Sequence, residues 1–397
     1  MITTTTRQTS NEVDFDLHKL VGIRVENGSA SDIAAVRRQL GPLETSLARE
    51  PDITVRFVDH LPLDKSLRYL GAYEAGVTED AFWILRGKHK SKTRVKIPVE
   101  QISEKHCEVV CETGLEAVPL LIAIINLTAL KNGAVPLHAS AFNYNGTGVL
   151  STGWSKGGKT ETLLSFMANG AQYIADEWVY LHGDGRMSGI PEPIRVWDWH
   201  LDTLPQYRSC ASRGALARLR TIKWMQASLH CIPGGKWLPG RVRSRLAPFL
   251  KQQLFVDVPA ERLFGREHMR LVGELHKVLF VISHASPAIR IEPMDPEEIA
   301  QRMVHSLQFE QFPFLGFYRM FRFAFPDLAN DLIDRTEELQ GELLRTALAG
   351  KDAYSVSHPY PVSLPSMFEA ISPLCRPSEP PPRPSAQPAT ANGGCQP

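Results

Sequence analysis

The sequence predicts an α/β core preceded by a small α+β domain. Two observations carry that reading. Over the first hundred residues, short apolar runs alternate with turn residues, and one helical pattern stands among them. From residue 115, a long apolar helical pattern leads into strand, glycine-rich loop, helix and strand in direct succession. That alternation belongs to a layered α/β core.

In the first domain, residues 21–25, 53–58, 81–85, 94–98 and 109–111 read as strands. Residues 32–40 read as a helix that Ser29 or Ser31 can cap. Residues 81–86 and 93–97, joined by a polar stretch with a glycine, read as a hairpin. Residues 1–14 are polar and expected to be loose.

Residues 115–131 read as a mostly buried helix ended near Gly133. The run PLHASAF (136–142) is strand-like, and a turn follows at 143–146. Residues 148–152 form a short apolar strand, 160–169 a helix closed by Gly170, and 171–175 another strand. The layout continues to about Gly350, with a strand at 278–283 and helices at 296–305 and 326–348. Residues 376–397 hold seven prolines and are expected to be disordered. The expected division is a loose 1–14, an α+β domain over 15–114, an α/β domain over 115–350, and an extension with its tail over 351–397.

Charge and composition exclude several classes. Lys+Arg number 44 and Asp+Glu 43, so net charge is +1. A protein that coats nucleic acid through overall charge is excluded. The longest apolar run, 118–130, is broken by Pro119, Asn126 and Thr128. A membrane span needs about 20 apolar residues, so none is expected. The start, MITTTTRQTS, lacks a basic region followed by an apolar stretch, so no signal peptide is expected. The six cysteines form no CxxC pair, and Cys107 and Cys111 with His106 lack a second ligand pair. Reduced thiols in a cytoplasmic protein are the expectation.

One motif carries chemistry. Gly153-Trp154-Ser155-Lys156-Gly157-Gly158-Lys159-Thr160 fits GxxxxGK[ST] at every fixed position. Glycine freedom lets such a loop curl its amides toward phosphate oxygens. The helix that starts there turns its positive end to the anion. Lys159 then reaches the terminal phosphates, and the Thr160 hydroxyl can ligate Mg²⁺. The flanking strand and helix are the context this reading requires.

Asp176 and Glu177 end the next strand, where a magnesium-binding acid belongs in such folds. Asp176 follows Lys159 by only 17 residues, closer than in the common nucleotide-hydrolysing ATPases and GTPases. His138 precedes Gly153 by fifteen residues. If 136–140 pairs beside 148–152, His138 approaches the same strand end. A histidine near a carboxylate and a γ-phosphate suits proton handling.

Over residues 136–181 the chain resembles HPr kinase/phosphorylase and the wider group of HPr-kinase-like serine kinases, which share their nucleotide fold with phosphoenolpyruvate carboxykinase. His138, the loop with Ser155 kept, Gly170 and the pair Asp176-Glu177 carry the resemblance. It implies a P-loop fold, ATP and Mg²⁺, one acid acting as base toward a substrate hydroxyl, and the other holding metal. The assignment is Asp176 as base and Glu177 with Thr160 on the metal, with the two roles exchangeable. Lys156 stands where the family has a glycine, and Glu177 where it usually has Asp. The signature that accompanies phosphorylase activity is not recognisable. Ile194-Arg195 is a faint echo, so reverse activity is unsupported.

Residues 203–256 contain ten bases and no acid, so the rest of the chain carries a net nine negative charges. That stretch, with a helix at 213–223 and a glycine-rich loop at 233–239, reads as a lid over ATP, an anionic-acceptor surface, or a solvated face. Arg86, Lys88, Lys90, Lys92, Arg94 and Lys96 predict a positive hairpin tip. Neither a groove-reading element nor stacking aromatics accompany it, so nucleic acid is not an expected partner. The aromatic run 309–325 predicts a packed core or a homo-oligomer interface, with a substrate pocket as the alternative. The expected activity is transfer of the γ-phosphoryl of ATP to a hydroxyl, a serine of a protein or peptide, with an acidic acceptor among the candidates. The alternatives are a nucleotide-binding regulator without catalysis, and a small-molecule or carboxykinase-like enzyme acting on an anionic metabolite.

Overall fold

The computed structural model describes residues 12–70, 75–85, 94–231 and 240–375. In the first segment β1 (Val13–Leu17), β2 (Val21–Glu26), α1 (Ala30–Leu40), β3 (Ile53–Val58), β4 (Arg68–Leu70), β5 (Ala75–Val77), β6 (Ala81–Ile84), β7 (Val95–Pro98) and β8 (Cys107–Glu112) follow in order. β8 alternates buried and half-exposed positions along its whole length, as a strand with one covered face does, whereas β5 and β6 are buried throughout. They form one eight-stranded sheet, β1-β2-β3-β8-β7-β6-β5-β4, in which β2, β3 and β8 run parallel. Ser29 caps α1 reciprocally: it accepts from the Asp32 amide, and the Asp32 carboxylate accepts from the Ser29 amide. The expected strands and hairpin lie within this sheet, whereas β1, β4 and β5 have no counterpart among the expected strands. The hairpin tip with Arg86, Lys88, Lys90 and Lys92 lies outside the described residues, as do 1–11, 232–239 and 376–397.

The second segment contains α2 (Leu121–Lys131), β9 (Ala134–His138), β10 (Ser140–Tyr144), β11 (Thr147–Thr152), α3 (Lys159–Met167), β12 (Gln172–Ala175), β13 (Trp178–His182), β14 (Arg186–Gly189) and β15 (Ile194–Trp197). Then come α4 (Asp198–Thr203), α5 (Arg213–Cys231), α6 (Gly240–Lys251), β16 (Phe255–Val258), α7 (Ala260–Phe264), β17 (Val272–Glu274), β18 (Lys277–His284) and β19 (Arg290–Pro293). The chain continues with α8 (Pro296–Glu310), α9 (Phe312–Ala324), α10 (Asp331–Asp334), α11 (Thr336–Leu348), β20 (Asp352–Pro359) and α12 (Leu364–Ile371). The central sheet runs β12-β10-β11-β18-β20-β19, with β11, β18 and β20 parallel. A second sheet runs β17-β14-β13-β9. The molecule is therefore mixed α/β. Among the described residues no helix is long and apolar enough to cross a membrane.

Four expectations are corrected. The strand-like run 136–142 is two strands. The chain breaks at Ala139, β9 pairs with β13, and β10 pairs with β11 and β12. The apolar helix begins only at Leu121, because Leu120 takes left-handed backbone (φ 59°). The helix over 326–348 is α10 and α11, preceded by non-helical residues. The chain after 350 is no extension: β20 lies between β18 and β19 inside the central sheet.

The aromatic run divides by helical period. Phe314, Tyr318 and Phe321 of α9 are buried, and Phe314 and Phe321 meet Phe82 of β6 edge-on at 5.7 and 6.1 Å. Phe312 and Phe323 are exposed. The basic stretch splits similarly. Lys223 pairs with Asp198 at 2.5 Å and Arg208 pairs with Asp202, so part of its charge is neutralised by α4.

Candidate nucleotide and phosphoryl-transfer site

The loop begins where β11 ends. Gly153 has φ 146°, and a Cβ there would lie 2.4 Å from the Val281 carbonyl of β18. Only glycine lets the chain leave the strand that closely. Gly158 has φ 112°, and a Cβ would meet His358 Nε2 at 2.1 Å. Lys156 occupies left-handed backbone at φ 62°, a region that only glycine enters freely. Ser155 is half-buried and Lys156 exposed. The Gly157 amide donates to the Trp154 carbonyl at 3.0 Å and tightens the turn.

Lys159 opens α3 and is buried. Its ammonium donates to the carbonyls of Trp154 (3.0 Å) and Gly153 (3.4 Å). Burial pushes its pKa down, against the pull of Glu177, Asp176 and Glu310. The Thr160 hydroxyl donates to Asp176 at 3.0 Å (Oδ2) and 3.3 Å (Oδ1). The Asp176 amide donates to the Tyr173 hydroxyl at 2.9 Å. Asp176 is buried, and its pKa is pushed up to about 8, first by burial and then by the charge of Glu177.

Glu177 turns away from Asp176. Its φ of 75° is left-handed, so two acids adjacent in sequence face different partners. Glu177 Oε2 lies 2.9 Å from His138 Nε2, and Glu310 Oε1 lies 2.6 Å from His138 Nδ1. Burial pushes the His138 pKa down, but the bonds to Glu177 and Glu310 prevail and raise it to about 9. Both ring nitrogens therefore donate at neutral pH. The Glu177 carboxyl is held low by His138 in spite of burial.

The sequence-predicted residues His138, Lys159, Thr160, Asp176 and Glu177 thus converge at the loop. Two details differ from expectation. His138 arrives through the pairing of β9 with β13 (His138 opposite Trp178), not beside β11. The Thr160 hydroxyl is bonded to Asp176 rather than Glu177, whose carboxylate meets His138 instead.

Sequence reasoning missed three residues. Glu310 ends α8, 172 residues from His138, and no local pattern signals it. His358, fully buried on β20, places Nε2 2.8 Å from the Gly157 carbonyl and Nδ1 2.8 Å from the Pro359 carbonyl. Glu192 has a buried Oε1 with no hydrogen-bond partner. Its pKa is raised to about 8 by burial and then by Glu177 and Asp176. Its position between Pro191 and Pro193, just before β15, was the available signal.

No group of three or more His, Cys, Asp or Glu side chains among the described residues is arranged to hold a metal by itself. Mg²⁺ does not need one, since it commonly takes one or two carboxylates, water and substrate phosphates. Thr160 and Asp176, bonded to each other at 3.0 Å, fit that oxygen-only donor set. A cation there would favour the ionised form of Asp176. No family model and no curated protein matches this chain.

Proposed function

We propose that this chain is an ATP- and Mg²⁺-dependent kinase of the HPr-kinase-like type that phosphorylates a hydroxyl, a serine of a protein or peptide. One observation carries the reading. At the mouth of a GxxxxGK[ST] loop, two adjacent acids diverge, one to the loop threonine and one to a histidine.

The loop amides and the start of α3 bind the triphosphate, and Lys159 leaves its backbone carbonyls for the terminal phosphate oxygens. Thr160 and Asp176 would hold Mg²⁺, which would supply neutralising charge for the β- and γ-phosphates. Glu177 faces the acceptor and takes the hydroxyl proton as the oxygen attacks the γ-phosphorus, whose bond to the β–γ bridging oxygen breaks and releases ADP. His138, protonated between Glu177 and Glu310, fixes the base in position and keeps it ionised. Phosphoryl transfer asks mainly for positioning and charge stabilisation, so a carboxylate of low pKa suffices.

The test uses purified protein, labelled ATP and a cell extract. The expected result is Mg²⁺-dependent, acid-stable label on serine that vanishes in Lys159→Ala and Glu177→Gln. ATP binding with no transfer to any acceptor would overturn the kinase in favour of a regulator. Label on a metabolite alone would overturn the protein acceptor.

A further inference from the structure

Beside the polar site stands a pair of aromatic rings that phosphate chemistry does not use. Trp154, second residue of the loop, is 50% exposed, and Phe309, at the end of α8, is 53% exposed. Their ring centroids lie 4.9 Å apart, with planes inclined by 36°. Each ring is tied to a reacting group through its own backbone. The Trp154 carbonyl accepts from the Lys159 ammonium at 3.0 Å. Phe309 precedes Glu310, whose carboxylate meets His138 at 2.6 Å. His138 in turn holds Glu177.

The backbones that carry the two rings thus adjoin Lys159 and the Glu310–His138–Glu177 chain. Lys159 serves the terminal phosphates, so Trp154 lies at the γ-phosphate end. The nucleobase is at the other end of the triphosphate and is not the ring pair's occupant. A small anionic metabolite would leave both rings in water, since it has no apolar surface to cover them. A polypeptide satisfies both demands, placing a hydroxyl on Glu177 and a neighbouring apolar side chain on the rings. Aromatic rings combine large contact area with few rotatable bonds, which suits such a contact.

Resting on the kinase reading, we propose that Trp154 and Phe309 form an apolar seat for the residue flanking the acceptor serine. The substrate class is then a serine-containing polypeptide with a large apolar or aromatic side chain next to the serine, rather than an acidic one.

A positional-scanning library of serine peptides with labelled ATP tests this, alongside binding of a fluorescent ATP analogue. Wild-type protein should prefer Leu, Ile, Met or Phe at one flanking position. Phe309→Ala should lower kcat/KM on the preferred peptide by about tenfold or more, the usual effect of an apolar pocket contact. It should also flatten the flanking preference, while Phe309→Leu keeps most of it. Phe309 is exposed, so its replacement leaves the core intact. Transfer with no apolar preference, or a preference that survives Phe309→Ala, overturns the seat and leaves the kinase standing. Nucleotide binding without transfer to any peptide, or label confined to a metabolite, overturns both the seat and the protein acceptor. Failure to bind nucleotide overturns the kinase reading itself.

Discussion

At Glu177 the backbone enters left-handed space (φ 75°), a conformation that costs a non-glycine residue about 1–3 kcal/mol. The strain turns two neighbouring carboxylates toward two different partners, Thr160 and His138. Asp176→Asn is expected to raise the Mg²⁺ concentration needed for half-maximal activity. Glu177→Gln should instead lower kcat by about 10²–10⁴, the range for loss of a positioned base, with the Mg²⁺ dependence unchanged. Metal titrations of both variants check this, and identical metal profiles would contradict it. His138 gives a second prediction, with a definite sign. Its pKa rises from 6.5 to about 9 on folding, which corresponds to about 3 kcal/mol. That stability is fully present below pH 6.5 and is lost as pH climbs through about 9. Urea unfolding of wild type and His138→Gln should therefore differ most at pH 6 and converge near pH 10. The loop, both acids and His138 were legible in sequence because their spacing is local. Glu310 was not, because it meets His138 across 172 residues, through a helix whose ending carries no mark of its task.

Among elements, the loop depends on what lies beneath it. The parallel strands β18 and β20 end under the turn. Val281 of β18 closes on Gly153, and His358 of β20 closes on Gly158 and bonds the Gly157 carbonyl at 2.8 Å. Gly158→Ala adds a methyl 2.1 Å from His358 Nε2 at a backbone angle unsuited to it. The expected cost is about 2–4 kcal/mol, with nucleotide affinity lost. In a Gly158→Ala, His358→Ala double variant the clash is gone, so part of the stability should return. Urea midpoints for the two variants read this directly, and equal midpoints would count against the contact. Strand and helix identity around the loop was readable from period and glycine placement. The break at Ala139 was not, because PLHASAF is apolar enough to be buried in either sheet. Only pairing decides that β9 joins β13 while β10 joins β11, and pairing is a property of distant residues.

Across the whole molecule, two boundaries that composition suggests do not separate independent units. Phe314, Tyr318, Phe321 and Phe325 of the later chain belong to the same buried cluster as Phe15, Val55 and Phe82 of the first sheet. Arg68 also donates to the Ala324 carbonyl at 2.6 Å, and Asn330 to the Val99 carbonyl at 2.7 Å. At the other boundary, β20 pairs with β18 over eight residues, from Lys277–Asp352 to His284–Pro359, and with β19 on its far side. The cut at 114 would expose the apolar surface that α9 covers. The cut at 350 would leave β18 with an unpaired apolar edge, which invites aggregation. It would also take His358 from under the loop. A fragment of residues 1–114 is therefore expected to lack a cooperative urea transition, and a fragment of residues 1–350 to be insoluble or unable to bind nucleotide. Point replacement makes the same argument without a cut. Phe321→Ala opens the seam between α9 and β6 and should cost about 3–5 kcal/mol. The discriminating measurement is where that loss appears. If the first sheet and the loop domain share one core, a fluorescence signal from Trp83 in β6 and one from the loop's Trp154 shift to lower urea together. If only the Trp83 signal moves, the two segments unfold separately and the shared core is not what holds them.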